Sequence, residues 1–296
     1  MTHAISPIHG MHALLPLPRT WLFGPGADAG AHRTMAASGA HVLIQDLEDF
    51  TPPALRPQAR ALAPTLYAQW RAAGARACVR INDLDGEGRD DLRAVMPARP
   101  DIVAYPKADG AAAMRTLDAA LAEAEAACGW PLGSTGILPV CETARGVLEV
   151  PAMAAATRRV QAALLGAEDL AADLRAGRSR EGTELAAARG HFLLACRAAG
   201  IEPIDAPWTF ADADGAAQEA RAVRRLGYRC KSLVRSDHVR PVLEALVPSE
   251  AELAAARRLV AAFEQARERG EDRALVDGQW AEVPTYRAAL RLLADG

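Results

Sequence analysis

Carboxylates gather at intervals along this chain, each group directly after a short apolar run. Gln45-Asp46-Leu47-Glu48-Asp49 follows one run, Cys141-Glu142-Thr143 another, and Gly166-Ala167-Glu168-Asp169 a third. Cations take equivalent places: Arg80 with Asn82 just beyond it, Pro106-Lys107, and Lys231 followed by Arg235, while Asp205 closes a further run. Several carboxylates without a histidine cluster suit a hard, oxygen-preferring ion such as Mg²⁺ better than zinc. Such an ion takes one or two protein carboxylates and leaves positions for water and substrate oxygens. Glu142 and Asp169, from neighbouring runs, form the natural pair; the alternative is that Asp169 caps a helix and Glu142 lies in a buried ion pair. Arg80 is a planar cation suited to a two-pronged grip on a substrate carboxylate, unless Glu48 or Asp49 already holds it.

These residues need a scaffold that brings the run ends together. The apolar runs cover 21–23, 42–44, 78–81, 102–105, 137–140, 162–165, 203–204 and 232–234. Between them lie alanine-rich stretches of helical period at 27–38, 53–73, 111–127, 147–156, 184–199 and 213–226, with a short connection at 90–94. Apolar runs separated by helices imply parallel strands with right-handed crossovers. Eight of them suit a closed (β/α)₈ TIM barrel, whose active site lies at the C-terminal strand ends. With seven of eight run ends carrying charge, one polar mouth is expected. Gly39, Gly74, Gly129, Gly200 and Gly227 each follow a helical stretch, where a left-handed cap is wanted. The barrel is expected over 19–246, after a flexible arm at 1–18. A C-terminal helical lid over 247–296, part of the same domain, contains a periodic helix at 249–269, a polar stretch with Asp277-Gly278, and a last helix at 284–294.

The 296 residues are 50% hydrophobic, with a formal net charge of -3 and no basic stripe, so nucleic acid is a poor partner. No run approaches the roughly 18 apolar residues of a membrane span. The opening segment lacks a basic region followed by an apolar one, so it does not read as a secretory signal and a cytoplasmic protein is expected. Its His3, His9 and His12 could bind a metal, but a loose tail is the better reading. The five cysteines are scattered, with no CxxC pair, and read as buried thiols rather than disulfides or a zinc site.

The order of short motifs adds a resemblance. They are Arg19-Thr-Trp-Leu-Phe-Gly-Pro-Gly26, Asp46-Leu-Glu-Asp49, Arg56 with Ala59-Arg60, Val79-Arg-Ile-Asn82, Tyr105-Pro-Lys107, Glu142-Thr-Ala-Arg-Gly-Val147, Leu165-Gly-Ala-Glu-Asp-Leu170, Ala198-Ala-Gly-Ile201 and Lys231. Together they make the chain resemble the citrate lyase β-subunit/malyl-CoA lyase family of HpcH/HpaI aldolases from about Arg19 to Pro284. The resemblance implies Mg²⁺ on Glu142 and Asp169, with Arg80 on the substrate carboxylate. It also implies that the acidic group Asp46, Glu48 and Asp49 orders metal-bound water. Catalytic roles are expected for Arg80, Glu48 and Asp49, and substrate-binding roles for Arg80, Asp46, Lys107 and Arg19. The lid segment Asp277-Gly-Gln-Trp-Ala-Glu-Val-Pro284 offers Glu282 where the family places an aspartate that protonates the product enolate. Family members are commonly homo-oligomers, trimers or hexamers.

The implied reaction is Mg²⁺-dependent carbon–carbon cleavage, or its reverse, of a 3-hydroxyacyl-CoA such as malyl-, citramalyl- or citryl-CoA. The chain departs from the family pattern after Lys231, where it reads Leu233-Val234-Arg235-Ser236-Asp237-His238, and in the first helix, where His32, Arg33 and Met35 stand near an expected lysine. Arg19 and Arg33 are candidates to compensate, and the Gly24-Pro25-Gly26 turn could cradle a phosphate. Two other readings stay open: an aldolase for free 2-oxo acids without CoA, and a non-catalytic barrel subunit or binding protein.

Overall fold

The computed structural model describes residues 17–295. They divide into two compact units, one ending at Leu243 and one beginning at Glu244. In the first unit, strands and helices alternate: β1 (Thr20–Pro25), α1 (Ala29–Ala37), β2 (Val42–Asp46), α2 (Arg56–Ala72), β3 (Arg76–Arg80), α3 (Gly88–Val95), β4 (Ile102–Tyr105) and α4 (Ala111–Cys128). The order continues through β5 (Gly136–Cys141), α5 (Ala144–Leu148), α6 (Val150–Ala156), β6 (Ala162–Leu165), α7 (Glu168–Asp173), α8 (Ala186–Ala199), β7 (Glu202–Asp205), α9 (Ala213–Leu226) and β8 (Cys230–Leu233), and α10 (Val239–Leu246) runs across the boundary between the units.

The eight strands form a closed parallel barrel in chain order. Closure is made where Thr20, Trp21 and Leu22 pair with Lys231, Ser232 and Leu233. All eight apolar runs are strands. The expected helices are present too, though 147–156 is broken at Glu149 into α5 and α6. Two short helices, α7 and α10, escape the sequence pattern, because six to eight residues give too little period to read. All five glycines expected to end helices have positive φ, from 71° to 117°.

Inside the barrel, Trp21, Phe23, Val42, Ile44, Cys78, Ala104, Leu138, Val140, Leu164, Ile204 and Cys230 form one apolar plug. Leu17 packs against it, and Trp21 Nε1 donates to Pro18 O at 2.8 Å. The end of the expected arm is therefore part of the barrel floor, while His3, His9 and His12 lie outside the described residues. Each fully buried Val, Leu or Ile of the plug contributes roughly 1.5–3 kcal/mol. The plug also keeps water from entering beneath the charged residues at the mouth. All five cysteines are free thiols; four are buried, and Cys128 is half-buried.

The second unit contains α11 (Glu250–Glu268), a hairpin of β9 (Ala274–Val276) and β10 (Gln279–Ala281), and α12 (Val283–Asp295). Ser249 and Glu252 close a reciprocal cap at the start of α11. Phe263, Ala266, Ala274 and Ala281 make its core, and Tyr286 stacks on Phe263 at 4.7 Å. The polar stretch with Asp277-Gly278 is the turn of the hairpin. Asp277 and Gly278 have φ of 49° and 80°, the left-handed pair that a two-residue turn of this hand requires. Among the described residues, no helix is long and apolar enough to cross a membrane.

Candidate active site

Strand alternation decides which charged run ends meet. Successive side chains on a strand point to opposite faces. Ile44, Cys78 and Val140 face the lumen, so Asp46, Arg80 and Glu142, two positions on, face its mouth. Ile204 and Cys230 also face inward, so Asp205 and Lys231 face outward, into the layer between strands and helices. The expectation of one mouth collecting charge from seven strand ends is corrected here: part of that charge lies outside the barrel wall.

The register sets Asp46 directly beside Arg80 on neighbouring strands. Arg80 Nε donates to Asp46 Oδ1 at 2.9 Å and Nη2 donates to Oδ2 at 2.5 Å. Asp46 also accepts the Glu48 and Phe50 N–H groups, at 2.9 and 3.3 Å. It is fully buried, and its oxygens shape the loop after β2 and aim Arg80. The remaining prong of Arg80, Nη1, lies 3.0 Å from Glu48 Oε2 and 3.6 Å from Asp49 Oδ2. The guanidinium also sits 5.3 Å from the Phe23 ring centroid and 5.9 Å from that of Phe50. Both are within cation–π range. Burial works against the Arg80 charge, but Asp46, Glu48 and Glu142 outweigh it and hold the proton more firmly than usual. The two-pronged face of Arg80 is thus taken up by Asp46, and its approach to a substrate is through Nη1.

Glu142 is 5% exposed, and its Oε1 accepts the Lys107 backbone N–H at 2.8 Å. Burial, with help from nearby Asp169 and Glu48, pushes this carboxyl up to about 7. Its side chain lies against Gly166, where a Cβ would stand 2.5 Å from Glu142 Cβ. Asp169 is in the first turn of α7 and half-exposed; it does not cap that helix. Lys107 follows β4 with φ of 45°, a left-handed conformation that costs a lysine about 1 kcal/mol. Its Nζ is 3.0 Å from Glu48 Oε1 and 3.5 Å from Asp169 Oδ2. Burial disfavours the ammonium charge, but Glu48, Asp49 and Glu142 raise its pKa overall. For Glu48, too, burial opposes the charge, and Arg80 and Lys107 overcome it, so the carboxyl sits below its usual range. Asp49, beside Glu48, is pushed up by burial and by that neighbour.

Among the described residues, no group of three or more His, Cys, Asp or Glu side chains forms a closed metal cage. A two-carboxylate site for Mg²⁺ needs no such cage. Glu142 and Asp169 supply only oxygen, and Glu142 is a buried carboxylate whose own surroundings do not fully compensate its charge. This donor set fits a divalent ion that keeps several outer positions for substrate.

The same carboxylates and cations lie within a stretch shared with known proteins. A model of the HpcH/HpaI aldolase/citrate lyase family matches residues 19–236. The chain belongs to that family. The citrate lyase subunit beta of Escherichia coli (strain K12) is 34% identical over 278 residues, covering 93% of this chain and 92% of its own. That of Leuconostoc mesenteroides subsp. cremoris is 32% identical over 279 residues, covering 94% and 92%. The L-malyl-CoA/beta-methylmalyl-CoA lyase of Rhodobacter capsulatus is 31% identical over 297 residues, covering 92% of each. Among solved structures, the CitE protein of Mycobacterium tuberculosis, in complex with magnesium, acetoacetate and coenzyme A, has a TM-score of 0.74 and 28% identity, covering 94% of this chain and 97% of that one.

Of the family-like residues, the fold brings Asp46, Arg80, Glu48, Asp49, Lys107, Glu142 and Asp169 to one mouth. It does not bring Arg19 there. Arg19 precedes β1, its carbonyl accepts the Lys231 N–H at 2.8 Å, and it stands at the N-terminal face of the barrel, opposite the mouth. The Gly24-Pro25-Gly26 turn is also already occupied: the Gly26 N–H donates to Thr51 Oγ1 at 2.8 Å, and a Cβ at Gly26 would lie 2.6 Å from Asp46 O. Met35, in the helix where the family pattern expects a lysine, packs against Gly24. Glu282 belongs to the second unit and is exposed, with its N–H donating to Thr285 Oγ1 at 2.7 Å.

Three features of the site are not singled out by residue type. Phe23 and Phe50 flank Arg80, but an aromatic near a strand reads first as core. Gly166 makes room for Glu142, and the Lys107 N–H orients it. The motif residues Arg56, Arg60 and Asn82 act behind the site. Arg56 and Arg60 hold Glu87, Arg60 holds Asp91, and Asp91 Oδ2 accepts both Asn82 nitrogens at 2.8 Å. That chain of bonds fixes the loop after Arg80.

A conservative change at Arg80 tests its geometry. A lysine in its place could not hold Asp46 with two parallel bonds and still reach Glu48. Arg80→Lys should lower kcat/KM by about 10²-fold, of the order expected for one oriented charge at a reacting oxygen. Kinetics equal to wild type would make Arg80 structural.

Proposed function

We propose that this chain is a divalent-cation-dependent carbon–carbon lyase acting on 3-hydroxyacyl-CoA thioesters of the malyl, citramalyl or citryl type. One observation carries the reading: the oxygen donors Glu142 and Asp169 share a mouth with Arg80, in a chain aligned almost end to end with citrate lyase beta subunits and a malyl-CoA lyase. Magnesium, when bound there, supplies Lewis-acid polarisation of the substrate's carboxylate and neighbouring oxygen. Arg80 Nη1 places positive charge where enolate charge develops, and Asp46 fixes its direction so that little reorganisation accompanies the reaction. Phe23 and Phe50 limit water around that guanidinium. Glu48 and Asp49 hold the acidic edge of the mouth and order the water around the reacting groups. The enolate must then be protonated, and Glu282 is the residue we put forward. Glu282→Gln should slow turnover by about 10²–10⁴-fold with substrate affinity kept. Turnover at the wild-type rate would remove Glu282 from the mechanism.

A second reading, an aldolase for free 2-oxo acids, is favoured by the occupied Gly26 N–H and by Arg235, whose guanidinium is engaged with Asp237 at 2.7–3.0 Å. The two readings separate in one assay. Magnesium-dependent release of glyoxylate or 2-oxo acids is measured from a panel of 3-hydroxyacyl-CoA thioesters and the matching free acids. Turnover of thioesters is expected; turnover of free acids alone would replace the first reading by the second, and silence on both would leave a binding protein.

A further inference from the structure

Lys107 stands where its charge matters most. Its ammonium lies 3.0 Å from Glu48 and 3.5 Å from Asp169, while its backbone N–H holds Glu142 at 2.8 Å. One residue therefore touches both carboxylates put forward as ion ligands, one through the backbone and one through the side chain. The two attachments differ in mobility. The backbone is set by the left-handed φ of 45° and the bond to buried Glu142. The side chain is 52% exposed, on a flexible four-carbon stem. A divalent ion on Asp169 and an ammonium at contact distance from the same carboxylate repel each other, so the ion weakens the ammonium's hold on it.

We propose that Lys107 is a built-in competitor for the cation site: its ammonium leaves Asp169 when a divalent ion binds, and is then offered to the carboxylate of an incoming 2-oxo acid. This inference rests on the ion-ligand reading of Glu142 and Asp169. The ion displaces the ammonium without moving the Lys107 backbone, so Glu142 stays aimed. The freed charge makes acid binding more favourable once the ion is present. By linkage, the acid must then strengthen ion binding by the same factor. A free enzyme would hold the ion weakly and close its grip only when both partners arrive.

Calorimetric titration of Mn²⁺ alone, glyoxylate alone and the two together tests this on the full chain, in wild type, Lys107→Met and Lys107→Gly. Glycine accepts the left-handed φ without strain, so the second variant guards against misfolding in the first. Melting temperatures confirm that both are folded. Mn²⁺ alone should bind about two- to fivefold more tightly to each variant, the contribution of one partly exposed ion pair. The mutual enhancement between Mn²⁺ and glyoxylate should be larger in wild type than in either variant, where only the direct contact of acid with ion remains. Equal or weaker Mn²⁺ affinity in both variants, with wild type still binding the ion, overturns the competitor role and leaves the ligand assignment standing. A wild type that binds no Mn²⁺ overturns both.

Discussion

Asp169→Ala is expected to remove turnover while leaving the barrel folded. The carboxylate is 42% exposed and its ion pair with Lys107 is 3.5 Å long. A pair of that kind contributes less than about 1 kcal/mol. The fold therefore loses little, and the melting temperature should stay within about 3 °C of wild type. The reaction loses much more. Lewis-acid stabilisation of a developing oxyanion supplies several kcal/mol, and each 1.36 kcal/mol is about tenfold in rate. A fall of about 10³-fold or more in kcat/KM is expected, together with loss of divalent-ion binding by calorimetry. Glu142→Gln separates charge from shape, because an amide oxygen still accepts the Lys107 N–H. It should also lose ion binding while holding its loop. Wild-type turnover by Asp169→Ala would end the ligand assignment.

The largest effect on stability is expected outside the mouth. Lys231 is fully buried between β8 and the helices and donates to Asp205 Oδ2 at 2.6 Å, Ala206 O at 2.5 Å and Glu219 Oε2 at 2.7 Å. Arg189 holds the other side of the same two carboxylates, at 2.8 Å from Asp205 Oδ1 and 2.7 Å from Glu219 Oε1. Two cations and two anions thus compensate one another out of water. Lys231→Met keeps the volume and leaves two carboxylates sharing one cation. Breaking a buried pair in this way costs about 3–5 kcal/mol. For a domain of this size the melting temperature should fall by roughly 6–20 °C. Adding Glu219→Gln restores the charge balance and should recover part of the loss. A change below about 1 kcal/mol in the single variant would show that the network is not what ties α8 and α9 to the strands.

The same network sets a sign for pH. Burial opposes the Asp205 charge, but Lys231 and Arg189 outweigh it and hold the carboxyl below its ordinary range. Its stabilisation is therefore fully present above the unfolded carboxylate pKa of about 3.9 and is lost as pH falls through the lower folded value. In Lys231→Met this acid-side contribution should shrink, which denaturant titrations between neutral and acidic pH would detect.

Hydrophobic rhythm determined the barrel. Eight apolar runs with helical spacers admit few topologies, since parallel neighbours need crossovers of one hand. The glycines at helix ends marked the boundaries for a local reason, the left-handed cap, which is also written in sequence. The residue types at strand ends, acid with acid-facing cation and no histidine cluster, determined the class of chemistry. Side-chain destination was decided only in three dimensions. Asp46 and Asp205 look alike in the sequence, each closing an apolar run, yet strand parity sends one to the lumen and the other to the outer wall. Arg19 and Arg80 are both arginines beside strands, but one lies before its strand and the other at its end, and closure of the barrel puts them on opposite faces. The register of β2 against β3 gave Arg80 to Asp46, and the left-handed turn after β4 put Lys107 between the carboxylates. Register, parity and turn geometry depend on pairing between distant segments, so their outcome is a property of the assembled barrel, whereas period and caps act over a few residues and can be read along the chain.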